Sequence, residues 1–168
     1  MARRKLSRRS RSLPTIGWRE WLALPAFGVA RIKAKVDTGA RSSALHAFDM
    51  TTFERGGREW ISFSIHPNQR DDRHSLRTEA PVHDHREVRP STGTARLRPV
   101  VFASATLGSA TWPIEITLVR RDMMGFRMLL GRQAVRSRFV VDPGRSYLSG
   151  FPRVDRRMQI SPSTSERR

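Results

Sequence analysis

Ala30-Arg31-Ile32-Lys33-Ala34-Lys35-Val36-Asp37-Thr38-Gly39-Ala40 alternates apolar and basic side chains and then stops on Asp-Thr-Gly-Ala. A period of two is the mark of a β-strand with one buried and one wet face. Upstream, Trp18, Trp21, Leu22 and Leu24 lead to Pro25, and Ala26-Phe27-Gly28-Val29 reads as the turn into this strand. Downstream, further strands are expected at Trp60 to Ile65, Leu97 to Leu107, Trp112 to Val119 and Phe139 to Val141, each bounded by Gly, Pro, Asp or Asn. Helical periodicity is scarce, its best stretch being a short one after Gly131. Short strands at this spacing predict a small all-β barrel or sandwich. Residues 66–95 read differently, because Pro67-Asn68-Gln69-Arg70-Asp71-Asp72-Arg73-His74 is polar throughout. They are expected to form a long mobile loop or hairpin projecting from the barrel.

The chain has 168 residues, enough for one domain of ordinary size. With 38% hydrophobic and 28% charged residues, it reads as a folded core with basic extensions. The absence of Cys excludes disulfides, thiolate nucleophiles, Cys-ligated zinc and iron–sulfur clusters, so chemistry falls to Asp, Glu, His, Ser or Thr. No apolar run is long enough to span a membrane, and the charged N-terminus leads into no hydrophobic stretch, so no secretory signal and a cytoplasmic location are expected. The 32 Lys+Arg exceed the 15 Asp+Glu by 17, and over half of that excess lies at the two ends. Residues 1–15 and 151–168 are therefore read as basic disordered tails around a domain at 16–150. The tails suffice for weak, salt-dependent attraction to nucleic acid, but no aromatic residues interleave their arginines to suggest stacked-base recognition.

Asp37 offers a carboxylate fixed at a strand end. Gly39 lets backbone approach backbone and can donate its N–H to that carboxylate, while the Thr38 hydroxyl can reach a second copy of the loop. Asp-Thr-Gly is also ordinary turn chemistry, so the string alone leaves both readings open. A second motif, Met128-Leu129-Leu130-Gly131-Arg132, follows about ninety residues later. Asp-Thr-Gly-Ala, a hairpin region, paired strands, apolar-apolar-Gly-Arg and a short helix, in that order, resemble a retropepsin over about residues 16–148. Asp37-Thr38-Gly39-Ala40-Arg41-Ser42-Ser43-Ala44-Leu45-His46, Pro113-Ile114-Glu115-Ile116-Thr117-Leu118, Leu129 to Arg132 and Val141-Asp142-Pro143 are similar to a bacterial retropepsin-like family. That family is often labelled putative ATP-dependent zinc protease and is associated with the ribosomal-protein glutamate ligase RimK.

The resemblance implies an all-β, closed retropepsin-like barrel with one short helix after Leu-Leu-Gly-Arg. It implies an aspartic endopeptidase in which Asp37 is catalytic, Thr38 bonds across subunits and Gly39 allows close backbone approach. Leu130, Gly131 and Arg132 would support the loop from beneath. Retroviral enzymes carry an acidic residue after Asp-Thr-Gly-Ala that pairs with this Arg, whereas Arg41 stands there in this chain. Either another carboxylate partners Arg132, with Asp142 as candidate, or the interface is built differently.

Neither word of the label survives the residues. None of the three Lys follows a Gly, so no nucleotide-binding P-loop exists, and His-Glu-x-x-His is absent. His83-Asp84-His85 is the best metal-like cluster, its two His on one face of a strand, and is read as solvated polar surface for want of a third ligand nearby. No cofactor and no metal are expected.

The chemistry needs two carboxylates sharing a proton, yet the sequence has one Asp-Thr-Gly and no internal repeat. The second must come from a second subunit, so a homodimer with Asp37 of each chain on the two-fold axis is expected. Ala40, Arg41 and His46 are the candidate substrate contacts, and a basic cleft would favour an acidic peptide. Two alternatives stand beside this reading: a non-catalytic dimerisation or peptide-binding module, and a basic ribosome- or RNA-associated protein acting through its tails.

Overall fold

Ten strands, one turn of 3-10 helix and one short α-helix account for the fold of the computed structural model, which describes residues 12–88, 93–120 and 125–154. The alternating stretch forms β2 (Val29–Asp37), entered from β1 (Thr15–Leu24) through the Pro25–Phe27 turn. Gly28 closes that turn at φ 72°, where a side chain would be strained. β3 (Ser43–His46), β4 (Phe48–Arg55), β5 (Arg58–Ile65), β6 (Leu76–Val88), β7 (Arg96–Leu107), β8 (Ala110–Val119) and β9 (Met128–Gly131) follow. α1 (Arg132–Val135) and β10 (Val140–Ser146) complete the chain of elements.

The strands order as β10-β1-β2-β9-β3-β8-β7-β6-β5-β4, and an added pairing of Ala23 in β1 with Thr106 in β7 closes the inner six into a barrel. Parallel pairing of β2 with β9 aligns Asp37 with Gly131, and β3 runs parallel to β8 and antiparallel to β9. The inward residues, among them Leu22, Ile32, Leu45, Phe63, Ile116 and Leu130, form one apolar cluster. The expected all-β barrel with a short helix after Leu-Leu-Gly-Arg is the observed architecture.

Within residues 66–95, expected as a loop or hairpin, residues 67–75 form no strand and the residues after them enter a ladder. Residues 76–88 are strand β6, paired antiparallel with β5 on one side and β7 on the other. Only Ala80 and Val82 of its thirteen residues are buried, so the strand is held by its ladders and its composition reads as loop. β4 was equally hidden, being an edge strand with no fully buried residue. Of the segments read as tails, residues 1–11 and 155–168 lie outside the described residues. Residues 151–154 are not free of the domain, since the N–H of Arg153 donates to the carbonyl of Gly108 at 2.7 Å.

A buried carboxylate ties the C-terminal turn to β1. Glu20 is fully buried and accepts from the N–H groups of Gly17 at 2.7 Å, Leu148 at 2.9 Å and Ser149 at 3.2 Å. Gly17 must be glycine, since a Cβ there would lie 2.3 Å from the carbonyl oxygen of Arg145. Glu20→Gln presents an N–H₂ group to backbone donors that need an acceptor. It should lower unfolding stability by about 1.5–3 kcal/mol, checked by urea denaturation against wild type.

Candidate active site

Asp37 is the last residue of β2, and its Oδ1 accepts from the N–H groups of Gly39 and Ala40, each at 3.1 Å. The carboxylate thus folds the following turn around itself. Asp37 and Ala40 are half-buried, while Thr38 and Gly39 stand exposed. A carboxylate at the tip of a paired strand, with its own loop as its hydrogen-bond frame, is positioned and still reachable from solvent.

The frame is braced from below. Residues 38–42 make no strand, so their carbonyls need donors, and the first N–H groups of a helix need acceptors. The two needs meet: the N–H of Arg132 donates to the Ala40 carbonyl at 2.8 Å, and that of Gln133 to the Arg41 carbonyl at 3.0 Å. Ser43 Oγ accepts from the buried N–H of Gly131 at 3.0 Å, and Arg132 Nη1 donates to the Thr38 carbonyl at 3.2 Å. A Cβ on Gly131 would lie 2.4 Å from the Ser42 carbonyl carbon and oxygen, so the close approach requires glycine. Leu130 sits beneath in the core. Gly131→Ala should therefore push the two backbones apart and destabilise the fold by about 1–3 kcal/mol. Urea unfolding measures the loss.

The Arg132 side chain thus finds its partner in the loop's own backbone. Asp142, the acidic partner considered from sequence, is engaged elsewhere: its Oδ1 accepts from the N–H of Gly144 at 2.9 Å within its own turn.

Of the flanking residues, Arg41 is exposed directly after the loop. His46 lies three strand positions beyond Ser43, away from Asp37, stacked with Phe48 and His66. Its role as a contact beside the carboxylate is not supported by that position. Sequence reading also missed what stands next to the loop: a cavity of about 220 Å³ lined by Ser42, Phe102, Ile114, Glu115 and Gln133 among others. Arg86 grips Glu115 with both guanidinium ends, at 2.6 and 3.1 Å. These hydrogen bonds hold the Glu115 carboxyl below the ordinary glutamate range, with smaller help from the charges of Arg86, His83 and Arg41 against the opposing effect of burial. The His83-Asp84-His85 cluster parts around a bulge in β6: His83 packs edge-on against Phe102, and His85 Nε2 meets Glu59 at 2.9 Å.

Because its folded pKa is depressed, Glu115 contributes stability that is complete above the ordinary glutamate value of 4.5 and is lost as pH falls through the depressed value. Glu115→Gln should lower the urea midpoint at neutral pH, and the gap to wild type should close on acidification. A gap that persists unchanged into acid would assign the loss to packing instead.

A closed six-stranded barrel presenting an Asp-Thr-Gly-Ala loop braced by an apolar-Gly-Arg segment defines the retropepsin-like class. The model of the RimB-like family, described as retropepsin-like aspartic endopeptidase RimB, matches residues 15–152, and the chain belongs to that family. A probable alpha-L-glutamate ligase of Parasynechococcus marenigrum is 44% identical over 153 residues, covering 90% of this chain and 33% of the relative. One of Shewanella pealeana with the same name is 45% identical over 135 residues, covering 80% of this chain and 30% of the relative. The chain thus spans about a third of the length of these curated relatives. A crystal structure of a Legionella pneumophila protein of unknown function superposes with a TM-score of 0.70 at 26% identity, covering 82% of this chain and 99% of that one. Among the described residues, no helix is long and apolar enough to cross a membrane.

Proposed function

We propose that the chain is an aspartic endopeptidase that works as a cytoplasmic homodimer, each subunit giving one Asp37 to a water-activating dyad. The observation that carries this reading is the frame around Asp37: two loop N–H groups on one carboxylate oxygen at a strand end, with Thr38 and Gly39 exposed beside it. One chain offers a single such carboxylate. A two-fold axis through the exposed loop would bring two of them into contact, and neighbouring carboxylates cannot both stay ionised. The ionised member takes a proton from water as it attacks the scissile carbonyl; the protonated member donates to the carbonyl oxygen. The proton pair belongs to the dyad as a unit. Exposed Thr38 hydroxyls bond across the axis and keep the two loops in register.

The substrate class we favour is an acidic peptide. Strand alternation puts Lys35 on the same outward face as Asp37, Arg41 follows the loop, and Glu115 is already neutralised by Arg86. The relatives named probable glutamate ligases carry a domain like this one within a longer chain, which supports chemistry on glutamate-rich products.

Asp37→Asn removes the general base while keeping the acceptor oxygen for Gly39 and Ala40. Peptide hydrolysis should fall by about a hundred- to ten-thousandfold, while the sedimentation-derived mass of a dimer is retained. Hydrolysis by a strictly monomeric protein would overturn the mechanism. Oligoglutamate should be cleaved faster than a neutral peptide at low salt and lose that advantage as salt rises; equal rates at both salts would remove the acidic-peptide reading.

A further inference from the structure

The outward face of the β1–β2 hairpin gathers aromatic and basic side chains that are scattered in sequence. Trp21 stacks on Tyr147 with ring centroids 5.7 Å apart and tilts against Phe151 at 5.4 Å. The Arg31 guanidinium lies 5.7 Å from the Trp21 centroid and 5.0 Å from that of Phe151, and the Lys33 ammonium lies 5.3 Å from Trp21. Arg19 sits 5.2 Å from the Tyr147 centroid. Among the described residues, none of these three cations forms an ion pair. The one acidic residue of β1, Glu20, is buried with its oxygens on backbone N–H groups. The face thus gathers three cations with no ion-pair partner among the described residues, and Phe151 remains 58% exposed upon it.

We propose that this face binds single-stranded RNA. Arg31 and Lys33 held over rings keep their N–H edges free for phosphate, while exposed ring surface and guanidinium planes accept stacked bases. An acidic peptide would use the charges and leave the rings idle; a single strand uses both. The proposal goes beyond the peptidase reading and does not depend on it. It also puts nucleic-acid contact on the folded domain, whereas sequence alone suggests only the terminal arginines.

The test is titration of a short fluorescein-labelled oligouridylate with the full chain over a series of salt concentrations. Variants are Phe151→Ala and the double change Arg31→Ala with Lys33→Ala, each checked for an unchanged thermal transition. Phe151→Ala should weaken binding about fivefold or more with little change in salt slope. The double variant should weaken it about tenfold and flatten the log–log salt slope by about 0.7 for each phosphate that is no longer neutralised. RNA binding is read without any hydrolysis, so failure of the peptidase reading leaves this result standing. Wild-type binding by both patch variants would place the RNA on the terminal segments and overturn the proposal. So would displacement of the RNA by oligoglutamate of equal charge together with indifference to Phe151→Ala, since that pattern is charge without stacking.

Discussion

The structure depends on a reciprocal satisfaction of backbone groups. The loop after Asp37 leaves carbonyls without a sheet partner, and the start of α1 leaves N–H groups without a helical one. Arg132 and Gln133 donate to Ala40 and Arg41, and two groups of each deficit are met at once. A helix of four residues would not hold alone, because nucleation is unfavourable at that length. The loop fixes the helix as much as the helix fixes the loop. Asp37 inherits its position from this exchange, for its own oxygen frames the same turn from the other side. Ser43, Gly131 and the Arg132 side chain extend the same logic, each matching a backbone group of one segment to the other.

Such a construction explains which parts were legible in the sequence. Gly131 stands where the close approach of Ser42 leaves no room for a Cβ, and Asp37 holds the loop N–H groups with its side chain, so both are legible as identities, whereas Gly39 meets no backbone of its own chain. β2, β5, β7 and β8 were legible because one face of each is buried and alternates. β4 and β6 were not, because a strand whose ladders are satisfied by neighbours needs no apolar face, and β6 buries only two residues. The partner of Arg132 was illegible for a different reason: it is a backbone carbonyl, which any residue could supply. Asp142, the carboxylate expected there, is taken by its own turn. Glu115 and Arg86, separated by twenty-nine residues, meet only because β7 lies between their strands.

Charge shows the same gap between composition and surface. Arg19 and Glu20 adjoin in sequence and would neutralise each other in any averaged reading. The period of two sends Arg19 out and Glu20 into the barrel wall, where three N–H groups occupy its carboxylate. On β2 the same alternation lines Arg31, Lys33, Lys35 and Asp37 along one outward row while Ile32, Ala34 and Val36 fill the interior. The core requirement that apolar residues point inward is thus also what assembles the cationic row. Its last member is the carboxylate at the strand tip, so the fold that positions Asp37 necessarily leads a line of positive charge up to it. Lys35 stands at the loop end of this row, and Arg31 stands at the end beside the aromatic stack. At one end stands the carboxylate framed by its own loop, and at the other stand the rings of Trp21 and Phe151.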